Sequence, residues 1–148
     1  MKRDDTRDAS GVHVWLVLWK AYRAWSALAA DSIRQTGLCD SDFRVLEILL
    51  HKGPLPVNTI GPIVQLTPGS ISVAVDRLVE KALVLRAGDS SDRRVRIVDL
   101  TAKGRALISK AFRQHAEAME SAAAVLSEKE RATLLRLLKK LGKGGADS

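Results

Sequence analysis

The stretch LTPGSISVAVDRLVEKALV, residues 66 to 84, constrains the chain more than any other. Thr67 offers a hydroxyl that can accept a bond from a first-turn N–H. Pro68 brings a fixed φ and no N–H to the first helical position, where neither is a liability. Together they predict a helix running to about Lys81. Ile71, Val75 and Leu78 fall at i, i+4 and i+7 as a buried stripe, while Gly69, Ser70, Val73, Asp76 and Arg77 point the other way. So small and polar an outer face needs no protein layer over it.

The flanks give that helix a setting. Ile60, Ile63, Val64 and Leu66 predict a short helix just upstream. Proline costs about 3 kcal/mol in a helix interior but little in the first turn, so this helix is expected to start near Asn58 or Thr59, with Pro62 in its first turn. Two helices joined by a tight turn near Gln65–Leu66 make a helix-turn-helix candidate. Lys52 to Pro56, with its two prolines, reads as a turn. Downstream, Val84–Arg86 and Val95–Leu100 are strand-like around the polar tip Gly88–Asp92, a hairpin whose alternation slips at Ile97–Val98. Thr101 caps a long helix to about Leu126. Ser127 with Glu130 forms a capping box for a last helix carrying Leu134, Leu135, Leu137, Leu138 and Leu141.

Before all this come two more helices. From Val12 to about Ile33 the chain is apolar on most faces, with Trp15, Trp19 and Tyr22 on one stripe and Leu18, Tyr22 and Trp25 on an overlapping one. So wide an apolar surface asks for cover from more than one side, and a partner subunit can supply it. Phe43, Leu46, Ile48, Leu49 and Leu50 mark the next helix, opened by Cys39 or Asp40 and closed before Gly53; of the two, Asp40 is the better N-cap. The first ten residues, polar and mixed in charge, read as a loose arm rather than a signal peptide, and GKGGADS as a frayed tail.

With 148 residues and a formal charge of +7, pI about 9.9, the chain is one domain-sized unit that suits an anionic partner, nucleic acid first. Cys39 is the lone cysteine, which excludes a disulfide framework and fits a reducing cytoplasm. No run approaches the roughly 18 apolar residues of a membrane span. His13, His51 and His115 lack ligand spacing, so no metal is expected. No nucleophile elbow, phosphate loop or paired-histidine motif points to an enzyme, and no cofactor is implied.

Helix, helix, helix-turn-helix, two-stranded wing, long helix, final helix is the order of a winged helix between helical arms. Within it, LTPGSISVAVDRLVEKALVLR followed by DRRVRIVDLTAKGRAL resembles the core of the MarR family of transcriptional regulators, over about residues 38 to 110. The most specific part is the Asp92-Arg93-Arg94 wing leading into Leu100-Thr101-x-x-Gly104. The resemblance implies a mainly α fold with a small β-hairpin wing. Its parts would be an arm at 1–10, a dimerisation helix at 11–36, a winged helix-turn-helix at 38–101, dimerisation helices at 102–142 and a tail at 143–148. It also implies a homodimer on a pseudo-palindromic operator, with repression as the default and regulation by a small ligand or by oxidation. Two positions depart from the family pattern: Gly61-Pro62 replaces a Leu-Ala-type helix interior, and Ala82 stands where glycine is usual before the wing. HKGPLPVNTIG…LTPGSI is further similar to a subgroup answering to phenols and quinones.

The candidate contacts to double-stranded DNA are Thr67, Ser70, Ser72, Val73 and Arg77 on the helix, with Asp92, Arg93, Arg94 and Arg96 on the wing. Ser70 can donate to a phosphate or base edge, and Arg77 can bridge a guanine or clamp a phosphate. The competing reading pairs Arg77 with Asp76 or Glu80 on a solvated face. By resemblance, Arg94 enters a minor groove and Asp92 holds it bidentately, while Arg93 and Arg96 meet phosphates. Trp15, Trp19, Tyr22 and His51 are candidates for a small aromatic or phenolic effector, against a plain role in core and dimer interface. Two alternatives stand beside a ligand-released repressor: a redox-responsive regulator using Cys39, whose thiolate a helix start would favour, and a winged helix used for protein contacts.

Overall fold

The computed structural model describes residues 9–89 and 92–146, without the side chains of 89, 92–95 and 146. Contacts divide the chain after His115 into two compact units.

In the first unit, α1 (Gly11–Gln35) opens at Ser10, whose hydroxyl accepts from the His13 N–H at 3.3 Å. It buries Ser32 and Ile33 near its end, while Trp15, Leu16, Trp19, Tyr22 and Trp25 stay exposed. Of the two candidates for the N-cap of α2 (Asp40–Lys52), the position falls to Cys39 and not to the better capping residue Asp40, and the Cys39 side chain makes no capping bond. Asp40 sits one residue inside, where its carboxylate meets Arg44 at 2.9 Å and still favours the helix dipole.

Leu55–Pro56, expected within a turn, forms a short strand, β1, at the edge of a three-stranded antiparallel sheet in the order β1-β3-β2. An edge strand tolerates proline because one of its sides is unpaired. α3 (Val57–Ile63) then starts straight after the extended Pro56, earlier than expected, so Pro62 falls near its end instead of in its first turn. The missing N–H of Pro62 therefore forfeits a single bond next to a helix terminus. Gly61 is buried, and a Cβ there would stand 3.3 Å from both Ile71 Cγ2 and the Leu66 carbonyl. The departure at 61 thus lets α3 lie close against α4.

α4 (Pro68–Glu80) begins as its sequence demands: Thr67 Oγ1 accepts from the Ser70 N–H at 3.1 Å, with Pro68 next in line. Ile71, Ala74, Val75 and Leu78 are buried. Its end uses the left-handed closure that glycine usually makes, yet with Ala82 at φ +58°. The Leu83 N–H reaches the Leu78 carbonyl at 3.0 Å, and that of Ala82 reaches Val79 at 2.9 Å.

β2 (Val84–Asp89) pairs with β3 (Asp92–Leu100) in the register Val84↔Leu100, Arg86↔Val98, Gly88↔Arg96. β3 also carries β1 on its other side, Leu55 opposite Val98. This central place settles the slip in the alternation: Val98 and Leu100 are buried, whereas Ile97 and Asp99 are half-buried on the opposite face. α5 (Ala102–Ala123) is capped by Thr101, which accepts from the Gly104 N–H at 3.0 Å and donates to the Ala82 carbonyl at 2.6 Å. Gly104 lies so near β2 that a Cβ would stand 1.9 Å from the Leu83 carbonyl oxygen. Phe43, Leu46, Leu49, Ile60, Val75, Leu78, Val98 and Ile108 form the centre of one continuous core.

The second unit holds the end of α5 and α6 (Glu128–Ala146). The capping box is present: Glu130 N–H to Ser127 Oγ at 3.3 Å, Ser127 N–H to the Glu130 carboxylate at 2.8 Å. α6 continues through Ala146, where a frayed tail is expected, although glycines at 142, 144 and 145 each disfavour helix by about 1 kcal/mol. Lys143 in its last turn complements the dipole. Leu134, Leu135, Leu137, Leu138 and Leu141 are exposed. Among the described residues, no helix is long and apolar enough to cross a membrane.

Candidate nucleic-acid interface

The outer face of α4 presents Thr67, Ser70, Ser72 and Val73, all exposed. The Thr67 hydroxyl donates to Ser70 Oγ at 2.9 Å while accepting from the Ser70 N–H. Ser70 thus accepts within the cap, and its own O–H remains able to donate outward. First-turn N–H groups and a small polar surface lie together at this helix start, which suits phosphate and base edges.

Arg77 does not point outward with Val73 and Asp76, and it pairs with neither Asp76 nor Glu80. Its guanidinium turns back to the entrance of α2. Nε and Nη2 donate to Asp42 Oδ1 at 3.0 and 2.5 Å, and Nη2 reaches Ser41 Oγ at 3.2 Å and Cys39 Sγ at 3.7 Å. Asp42 is 1% exposed, and Lys81 Nζ lies 3.5 Å from its other oxygen. Burial pushes the Asp42 carboxyl up, but the bonds and charge of Arg77, with Cys39 and Lys81 behind them, outweigh it and hold the group below its ordinary 3.8. The bond to Asp42 in turn raises the Arg77 guanidinium. Sequence reasoning missed Asp42, since an acid in the first turn of a helix ordinarily faces solvent and the dipole.

The wing continues this surface. Across the ladder, Val84, Arg86 and Gly88 stand opposite Leu100, Val98 and Arg96, so one sheet face passes from buried apolar residues to arginine. Arg86 pairs with Asp76 of α4, tying wing to helix. Arg86 and Arg96 both line a cavity of about 560 Å³ whose opposite wall includes Pro62, Ile71 and Ser72. Arg86 was not among the sequence candidates; its place two residues after Val84, on the same face of the strand, was the available signal. The side chains of Asp92, Arg93 and Arg94 lie outside the described residues.

Of the effector candidates, Trp15, Trp19 and Tyr22 share one stripe of α1, and His51 stands near the end of α2. The ring of Trp19 lies 5.0 Å beneath the Arg23 guanidinium, and Trp15 and Tyr22 are exposed on the same helix. The ring of His51 meets Phe112 edge-on at 4.7 Å, and its Nδ1 is 2.9 Å from the Glu47 carbonyl. The α2 ring expected beside the tryptophans therefore faces α5.

Residues 38–95 match the MarR family. The chain is 37% identical over 129 residues, 87% of its length and 89% of the other's, to the HTH-type transcriptional regulator MhqR of Bacillus subtilis. Among solved structures, Bordetella bronchiseptica BpsR, whose DNA binding is regulated by 6-hydroxynicotinic acid, superposes with TM-score 0.74 at 26% identity, covering 87% of this chain and 98% of that one. A mutant MarR from Escherichia coli complexed with operator DNA shares the fold, with TM-score 0.74 at 22% identity over 86% of this chain and 92% of its own. The chain belongs to the MarR family of winged helix-turn-helix transcriptional regulators.

Proposed function

We propose that the protein binds a pseudo-palindromic operator as a homodimer and represses transcription there until a small aromatic ligand releases it. The observation that carries the DNA reading is the shared surface of α4 and the wing. Ser70, Ser72 and Val73 are exposed on the capped helix, and Arg86 and Arg96 flank it on the sheet. In this reading α4 enters a major groove, Arg96 and Arg93 meet phosphates, and Arg94, held by Asp92, enters the neighbouring minor groove. Exposed tryptophans on α1 and exposed leucines on α6 support the dimer. Two copies would place their recognition helices in successive major grooves, about 34 Å apart. The test is a titration of short duplexes across a salt series. Salt-dependent binding with preference for a duplex recovered from a random pool is the expected result; no binding at low salt would remove the proposal. Within it, Arg94→Ala should lose more affinity than Arg96→Ala.

The effector would stack on Trp15 or Trp19 beside Tyr22, with Arg23 meeting its polar end. A planar acid or phenol suits that combination. A hundredfold preference for the non-DNA state is about 2.7 kcal/mol of coupling. Quenching of tryptophan emission by a phenolic panel, run beside release of bound duplex, tests it. Saturating quenching without release would sink the effector role and leave the DNA reading intact.

A further inference from the structure

We propose that Asp42 is a positioning residue for DNA reading: through Arg77 it fixes the attitude of α4 and hence which base edges Ser70, Ser72 and Val73 can reach. This rests on the proposed recognition of duplex DNA by α4. Apolar packing alone lets a helix shift by repacking side chains, because dispersion has no direction. A planar guanidinium bonded to a buried carboxylate does have direction. Here the carboxylate is 1% exposed, and the same guanidinium also reaches Ser41 and Cys39, so three residues of the α2 entrance (cap, first-turn hydroxyl and first-turn acid) receive it. Lys81, one turn further along at the end of α4, approaches the same carboxylate at 3.5 Å.

Arg77 and Ser70 are seven residues apart, on one side of α4 and about 10 Å along its axis. A tilt of about 10° about the clamp would move Ser70 by roughly 2 Å, while hydrogen bonds to base edges tolerate a few tenths. The clamp therefore acts on discrimination between sequences, more than on affinity for the phosphate backbone. Its sign is distinctive. Asp42 carries negative charge behind a DNA-reading helix, so electrostatics alone would have its removal tighten binding to every duplex.

The experiment compares a duplex selected by the wild-type protein from a random pool with a scrambled duplex, by fluorescence anisotropy over a salt series. Asp42→Asn should reduce the selected-to-scrambled affinity ratio by about tenfold, leaving scrambled binding and its salt slope unchanged or slightly tighter. Arg77→Gln should produce the same loss, and the double variant should be no worse than either alone. Arg77→Lys keeps the charge but not the fork and should also lose the ratio, which keeps the test available if Asp42→Asn does not fold. An unchanged ratio, equal losses on both duplexes, or additive losses in the double variant would overturn the positioning role. Failure of the wild-type protein to bind either duplex would instead remove the DNA reading itself.

Discussion

α1 and α4 are both amphipathic, and they are completed in opposite ways. α4 buries Ile71, Ala74, Val75 and Leu78 inside its own chain and turns small polar residues outward. α1 buries little beyond Ser32 and Ile33 and leaves Trp15, at 60% exposure, with Trp19, Tyr22 and Trp25 uncovered. Exposed aromatic area of that kind is unfavourable in water, at about 25 cal/mol per Å². The contrast is that the winged helix is completed by contacts within its own unit, whereas the first helix leaves its aromatic stripe uncovered, which is what the proposed dimer would close over. Substitutions at the two places should therefore fail differently: unfolding at the first, dissociation at the second.

The largest effect is expected at Gly104, where α5 passes Leu83 in the link between α4 and β2. Any Cβ would overlap the Leu83 carbonyl, the same oxygen that accepts from Thr101 N–H at 3.1 Å. Backbone cannot yield as a flexible side chain does, so Gly104→Ala should displace α5 and cost about 4 kcal/mol or more. Loss of the cooperative thermal transition, at any protein concentration, is the expected reading. A native-like melt would show that the two backbones can separate cheaply, and the self-contained character of the winged helix would be lost with it.

Trp19→Glu probes the other side of the comparison. Full burial of a large apolar side chain is worth about 1.5–3 kcal/mol, and in a symmetric dimer the substitution acts twice, so association should weaken by about 3–6 kcal/mol. Sedimentation should show a folded monomer whose helical circular dichroism is largely retained at low temperature. A dimer of unchanged affinity would mean that α1 is not the interface.

Much of this was legible beforehand, and the omissions have a common cause. Thr67-Pro68, Thr101 and Ser127-x-x-Glu130 are local signals, and local hydrogen bonds answer each of them. The bond of Arg77 to Asp42, 35 residues away, has no local signature, and neither does the pairing of Leu55 with Val98. Pro62 misled in the same way: propensity placed it in a first turn, but the strand ending at Pro56 determines where α3 begins. Asp40 lost the cap of α2 to Cys39 although its side chain is the better acceptor.

A smaller effect is expected from Arg77→Ala, which leaves Asp42 buried with Lys81 as its remaining cation. Removing one partner of a buried pair costs about 3–5 kcal/mol, and the half-exposed guanidinium places this one at the lower end. Acid provides an independent check. The folded carboxyl lies below the ordinary 3.8 of the unfolded chain, so the unfolded state binds more protons between the two values and stability rises with pH there. The contribution is complete above about pH 4 to 5 and is lost as pH falls through the folded value. Arg77→Ala should flatten that part of the curve in denaturant titrations. An unaltered acid slope would assign the sensitivity to other carboxylates.

The smallest effect has the opposite sign. Gln65 and Ala82 each close a helix with a positive φ of 58°, on either side of α4. A left-handed conformation costs a residue with a Cβ about 1–2 kcal/mol. Glycine avoids that but loses about 0.4–1 kcal/mol through its freer unfolded chain. Ala82→Gly should therefore stabilise the protein by about 0.5–1 kcal/mol, seen as a higher urea midpoint at unchanged slope and fixed protein concentration. Ala82 is exposed and sits where the family usually has glycine, so neither packing nor the turn geometry opposes the change. Because the closure lies inside the winged helix, the gain should appear equally in the Trp19→Glu monomer. A gain confined to the dimer would mean that the turn after α4 is strained by assembly, and the division between a self-completed domain and a partner-dependent helix would have to be redrawn at Ala82.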